Sequence, residues 1–238
     1  MRDMRWRNFD ADTRAGDDRL ALLSRRDLLF SISGLSLCGA AFAADQSVRY
    51  RVPLIAQRTP TGCWAAAIAM ITSWSLGSTI TPREVAKRSN RMLEFEERGL
   101  APLDSALFDV WDMITEAPQT YTPEGFMNLL VRYGPLWVAA MVGNPHVRVV
   151  TGFKYGRGPG YGVVSLNDPL ERGRSFRSGN KGARYNLSYA EFVRQNEKLG
   201  TAEIDVVDPN RYPVYDPNRY PVYFAHLQSP RRKSGRPS

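Results

Sequence analysis

The chain has 238 residues, 43% apolar and 24% charged, with 16 prolines and 19 glycines: a composition that suits a globular domain long enough for one sizeable core. Only two cysteines, Cys38 and Cys63, and two histidines, His146 and His226, occur, which excludes a disulfide framework and argues against a Cys/His zinc site. The formal charge of +8 is spread along the chain and ends in Arg231, Arg232, Lys233 and Arg236, without the clustering that nucleic-acid binding needs.

Residues 24–44 read SRRDLLFSISGLSLCGAAFAA: paired arginines, a moderately apolar run, then Ala41-Phe42-Ala43 as an A-x-A cleavage site. That order is a secretory signal, and Ser24-Arg25-Arg26 followed by Asp27-Leu28-Leu29 resembles the twin-arginine export type. The competing reading is an uncleaved anchor, but about 17 residues diluted with serine and glycine are marginal as a span. Leu37 before Cys38 disfavours lipid modification, so Cys38 is expected to leave with the signal. The expected organisation is a signal region over 1–44, with 1–23 as an extended n-region, a single domain over 45–228 and a basic disordered tail over 229–238. A periplasmic or secreted location follows, with no stable membrane anchor after cleavage.

Residues 63–76, CWAAAIAMITSWSL, are apolar on nearly every face and closed by Gly77, which predicts a central buried helix. Thr81-Pro82-Arg83-Glu84 has capping-box spacing with proline at the first helical position, and Thr122-Pro123-Glu124 opens a helix to about Tyr133. A weaker helix is expected over 105–114, with 91–103 as loop. Beyond Gly134-Pro135, residues 136–142, 147–155 and 162–166 are short runs rich in valine and aromatics, with a turn at 156–160. Residues 172–184, rich in Gly, Ser and Arg, read as a mobile loop, and Ser188-Tyr189-Ala190-Glu191 starts a short helix towards Lys198. The octapeptide DPNRYPVY occurs twice, at 208–215 and 216–223, too few copies for a solenoid; a duplicated surface loop ahead of a last strand at 222–226 is the expectation. Helices first and strands second indicate an α+β domain, a helical lobe packed on an antiparallel sheet.

Cys63 opens the Ala-rich helix, where free N–H groups favour thiolate over thiol; against this, a lone cysteine is commonly an inert small hydrophobe. His146, after Asn144-Pro145, stands where the edge of the second lobe could supply a base to that thiol, although a single histidine can equally be a plain surface residue. If the strands around 156–160 form a hairpin, Asp168 returns towards His146 and can orient its ring; the competing role is a turn-forming Asp-Pro. His226 has no neighbouring carboxylate in sequence and is expected at a strand end or on the surface. Trp64 and Trp137 are expected in the core.

Gln57 six positions before Cys63, then Gly62-Cys63-Trp64-Ala65-Ala66-Ala67, Tyr133-Gly134-Pro135-Leu136-Trp137-Val138, His146 with Val149-Val150-Thr151-Gly152, and Asn167-Asp168-Pro169 together resemble the papain-like cysteine proteases. Within them the chain most resembles the bacterial family named after a plant-pathogen avirulence effector, over about 52–168. The resemblance implies the papain-like α+β fold and a thiol peptidase with Cys63 as nucleophile, His146 as base and then acid, and Asp168 as orienting acid. It also implies that Gln57 and the Cys63 backbone N–H form an oxyanion hole. Pro145 and Arg148 flanking the histidine depart from the family, and Asn167 competes with Asp168 as third residue. The expected substrate is a protein or peptide, cleaved at a peptide or isopeptide bond without cofactor or metal. A cell-wall amidase or acyl transferase with the same triad is the first rival, and a retired, envelope-binding relative the second.

Overall fold

The computed structural model describes residues 46–100, 105–117, 119–156, 161–172, 175–201 and 224–229. The expected signal region, the DPNRYPVY copies and residues 230–238 of the expected tail lie outside them. Among the described residues, seven strands and five α-helices follow one another as β1 (Ser47–Arg49), α1 (Cys63–Leu76), α2 (Pro82–Arg88), α3 (Ser105–Asp109), β2 (Met113–Thr115), α4 (Pro123–Tyr133), β3 (Leu136–Val142), β4 (Asn144–Tyr155), β5 (Gly162–Asp168), β6 (Ala183–Ser188), α5 (Tyr189–Thr201) and β7 (Phe224–Leu227). No helix among them is long and apolar enough to cross a membrane.

The helix starts follow the capping chemistry. Thr81 accepts from the Glu84 N–H while the Glu84 carboxylate accepts from the Thr81 N–H, Thr122 accepts from Gly125 N–H, and Ser188 accepts from Glu191 N–H. Gly77 ends α1 in the left-handed conformation, φ 67°, and its N–H bonds the Ser73 carbonyl. Every α1 residue from Trp64 to Ser73 is buried, as an all-round apolar helix requires.

The sheet order is β2-β7-β3-β4-β5-β6, antiparallel throughout, with β1 pairing the second half of β4. Alternation sends side chains to two cores. Trp137, Val147, Val149 and Ala225 pack with α1 and α2, whereas Leu136, Val138, Val150, Phe153 and Leu166 pack with Phe126 of α4 and Phe192 of α5. Trp64 and Trp137 are core residues, as expected.

Several elements differ from the sequence reading. The helix expected over 105–114 stops at Asp109, because Asp112 turns left-handed (φ 52°) and Met113–Thr115 pairs with β7 instead. Within the expected loop 91–103, Glu94–Arg98 forms a π-helical turn around the buried Phe95. The stretch 172–184 ends in β6, where Ala183 pairs with Asp168 and Arg184 with Asn167. β4 begins three residues early, at Asn144, and the last strand is Phe224–Leu227.

His226 lies near the end of β7, one of its two expected placements, but it is fully buried rather than on the surface. Its ring stacks on Tyr133 at 3.7 Å, and both nitrogens meet oxygen, Leu227 O at 2.9 Å and Glu116 Oε1 at 2.8 Å. Burial pushes the Glu116 carboxyl up, but its hydrogen bonds to His226 and Tyr121 outweigh that and hold it below its ordinary value. The partner carboxylate stands 110 residues away in sequence, so no local pattern announces it.

Candidate active site

Cys63 is the first residue of α1, after Gly62, which leaves the helix without a side-chain cap or an acid in its first turn. The free N–H groups of that turn therefore have no internal competitor for negative charge beside the thiol. The loop before it is tightly held. Thr59 and Thr61 hydroxyls both donate to the Phe95 carbonyl, the latter at 2.8 Å, and a Cβ on Gly62 would stand 2.8 Å from the Phe95 ring. The π-helical turn thus serves as the seat for the segment that delivers Cys63.

His146 lies in β4, opposite Ala140 of β3. Its Nε2 is 2.7 Å from Asp168 Oδ1, and Cys63 stands close enough to the same ring to bear on its protonation. Burial disfavours the imidazolium, with only 12% of the side chain exposed, yet the hydrogen bonds from Asp168 and Cys63 and their charges raise it to about 9. Burial likewise pushes Asp168 up, but His146, the Leu170 N–H and Tyr185 hold its carboxyl below the ordinary value.

Of Asn167 and Asp168, it is Asp168 that meets the His146 ring. Asp168 ends β5 on the His146 side, whereas Asn167 pairs across Val149 and donates to Val52 O at 3.2 Å. Asp168 also closes the Asp-Pro turn, because Oδ1, which meets His146, accepts from Leu170 N–H at 2.8 Å as well. Oδ2 accepts from Tyr185 OH at 2.9 Å, and Tyr185 OH accepts from Arg148 Nη1 at 3.2 Å. Neither Tyr185 nor Arg148 was a candidate by sequence; only the β4, β5 and β6 register brings them to Asp168.

Gln57 is buried, and Asn180 clamps its backbone by donating to Gln57 O at 3.3 Å and Pro169 O at 2.6 Å. Both hydrogens of Nε2 face loop carbonyls, Thr59 O at 3.0 Å and Pro60 O at 3.1 Å. A polar cavity of about 230 Å³ opens beside it, lined by Arg58, Phe176, Arg177 and Asn180 among others. Among the described residues no group of three His, Cys, Asp or Glu side chains stands together to hold a metal ion.

A helix-borne cysteine facing a histidine on an antiparallel sheet is the arrangement of a papain-like cysteine peptidase, and the comparisons give that class. The family model described as papain-like cysteine protease AvrRpt2 matches residues 45–189. The chain belongs to that family of cysteine peptidases. Among solved structures, a double glycine motif protease from an AMS/PCAT transporter, crystallised with the leader peptide, is 18% identical with a TM-score of 0.38, over 62% of this chain and 86% of that one. No curated protein matches the chain significantly.

Proposed function

We propose that this cysteine peptidase is an exported enzyme that hydrolyses peptide or isopeptide bonds through Cys63, His146 and Asp168, with Gln57 contributing to the oxyanion hole. The observation that supports this reading is that Cys63, at a helix N-terminus, and Asp168, 2.7 Å from Nε2, both bear on the His146 ring. The thiolate of Cys63 is the attacking species.

In the first step the thiolate adds to the substrate carbonyl, and the oxygen takes the negative charge. The Cys63 N–H and Gln57 Nε2 meet that oxygen, Gln57 by exchanging one of its two loop hydrogen bonds; such a donor is worth about 3 kcal/mol in the transition state. Collapse breaks the C–N bond as His146 gives its proton to the departing amine, leaving a thioester. Water then attacks the thioester while His146 takes a proton, and the acid leaves as the thiolate and imidazolium return. Asp168 accepts from Nε2–H throughout and keeps the other nitrogen turned to sulfur.

Export rests on the signal-like segment 24–44, and recovery of the intact chain in the cytoplasm would contradict it. The chemical reading is tested by alkylation. Iodoacetamide or the papain inhibitor E-64 is expected to modify Cys63 rapidly near neutral pH, with peptide mapping separating it from Cys38, and Cys63→Ala is expected to lose hydrolysis of casein. A thiol that reacts no faster than free cysteine sinks the reading.

A further inference from the structure

Arg148 is completely buried, and its Nε and Nη2 have no hydrogen-bond partner among the described residues. Burying a guanidinium on so few bonds is unfavourable, so its placement is not explained by stability. What it does touch is Tyr185, whose hydroxyl lies between Arg148 Nη1 and Asp168 Oδ2. A guanidinium only donates, so Tyr185 must offer it a lone pair, and its single proton is then directed to Asp168. The hydroxyl is locked as a donor to the carboxylate by a residue two positions along β4 from His146.

We propose that Tyr185 and Arg148 are positioning residues of the site, holding the Asp168 carboxylate in the orientation that aims Oδ1 at His146 Nε2. The proposal rests on the triad reading above. With His146 and Leu170 N–H both on Oδ1, a donor on Oδ2 is what fixes the plane of the carboxylate against rotation. The anchors come from β4, from the turn after β5 and from β6, so the orientation is set by the sheet. The groups bearing on His146 are Cys63 from α1 and Asp168 from β5; Tyr185 of β6 bonds Asp168, Arg148 of β4 bonds Tyr185, and Glu191 of α5 lies within the field of Arg148. The Arg172 guanidinium covers the Tyr185 ring at 4.9 Å.

The full chain holds only two histidines, so both imidazoles can be followed by NMR, His146 being assigned by its loss in His146→Ala. Tyr185→Phe removes the hydroxyl and keeps the ring. It is expected to lower the His146 titration midpoint by about one pH unit and kcat on casein by about tenfold, with KM little changed, as for the loss of one oriented hydrogen bond. Arg148→Met is expected to shift the midpoint likewise, because the hydroxyl is then free to turn away, and Arg148→Lys to restore most of it. If Arg148→Met does not fold, Tyr185→Phe and Arg148→Lys carry the test. A folded Tyr185→Phe whose His146 titrates as in the wild type, while Asp168→Asn lowers the midpoint, overturns the positioning proposal alone. An unchanged midpoint in Asp168→Asn overturns the triad reading, and the positioning proposal with it.

Discussion

Replacing His146 with alanine is expected to lower kcat/KM for peptide hydrolysis by about 10⁴-fold, since removing one member of a nucleophile-base pair costs nearly as much as removing both. In the proposed mechanism the loss of the ring deprives the sulfur of its base, and it leaves the buried Asp168 carboxylate without its main partner. The same residue imposes a pH dependence whose sign is fixed. Because its folded value, about 9, lies above its ordinary 6.5, the imidazolium contributes stability that is fully present below 6.5 and is lost as pH rises through about 9. That difference corresponds to about 3 kcal/mol. Asp168 acts oppositely: held below its ordinary 3.8, it contributes stability above that value, lost as pH falls through its lower folded value. The site therefore stabilises the fold between roughly pH 4 and pH 9. Urea midpoints of wild type and His146→Ala should differ near pH 6 and converge as alkali takes the wild-type imidazolium away. Hydrolysis by His146→Ala within tenfold of wild type would rule out the assigned base.

The elements legible in the sequence are those whose determinants are local. The end of α1 at Gly77 and the starts of α2, α4 and α5 are set by residues within one turn of each helix end, so capping chemistry places them, whereas α1, which has no side-chain cap at its start, is legible from its apolar run. β2 and β6 were hidden because pairing defines them: Met113–Thr115 is three residues long and exists by its register with β7, while β6 alternates half-buried and exposed side chains among Gly, Ser and Arg. The π-helical turn was hidden because its anchor, Phe95, is held by hydroxyls of Thr59 and Thr61. The candidate site divides the same way. Cys63 at a helix start, and Asp168 beside His146 if the strands formed a hairpin, were legible as placements, whereas their roles rested on the resemblance to the papain-like proteases. Tyr185, Arg148 and the Glu116 partner of His226 were not, because each depends on a contact between strands far apart in the chain.

Phe95→Ala and Phe126→Ala remove equally buried rings, and each is expected to cost about 3 to 5 kcal/mol of folding stability, the range for deleting a core phenylalanine. Their effects on activity should part. Phe126 is the centre of an aromatic cluster with Phe153, Tyr189, Phe192 and Phe224, so its loss opens the core between α4, α5, β4 and β7 on the far side of the sheet from α1. Phe95 instead seats the loop that carries Gln57 and Cys63, and without its ring the wall against Gly62 is gone and the carbonyl that takes the Thr59 and Thr61 hydroxyls is free to move. A displacement of about 1 Å in a reacting group can cost about 10²-fold in rate, so Phe95→Ala is expected to lose 10- to 100-fold in kcat/KM beyond its loss of folded fraction. Phe126→Ala should lose activity only in proportion to that fraction. Denaturant midpoints combined with casein hydrolysis at a temperature where both variants are folded measure the two effects separately. Equal activity per folded molecule in both variants would show that the Phe95 seat does not govern the position of the nucleophile.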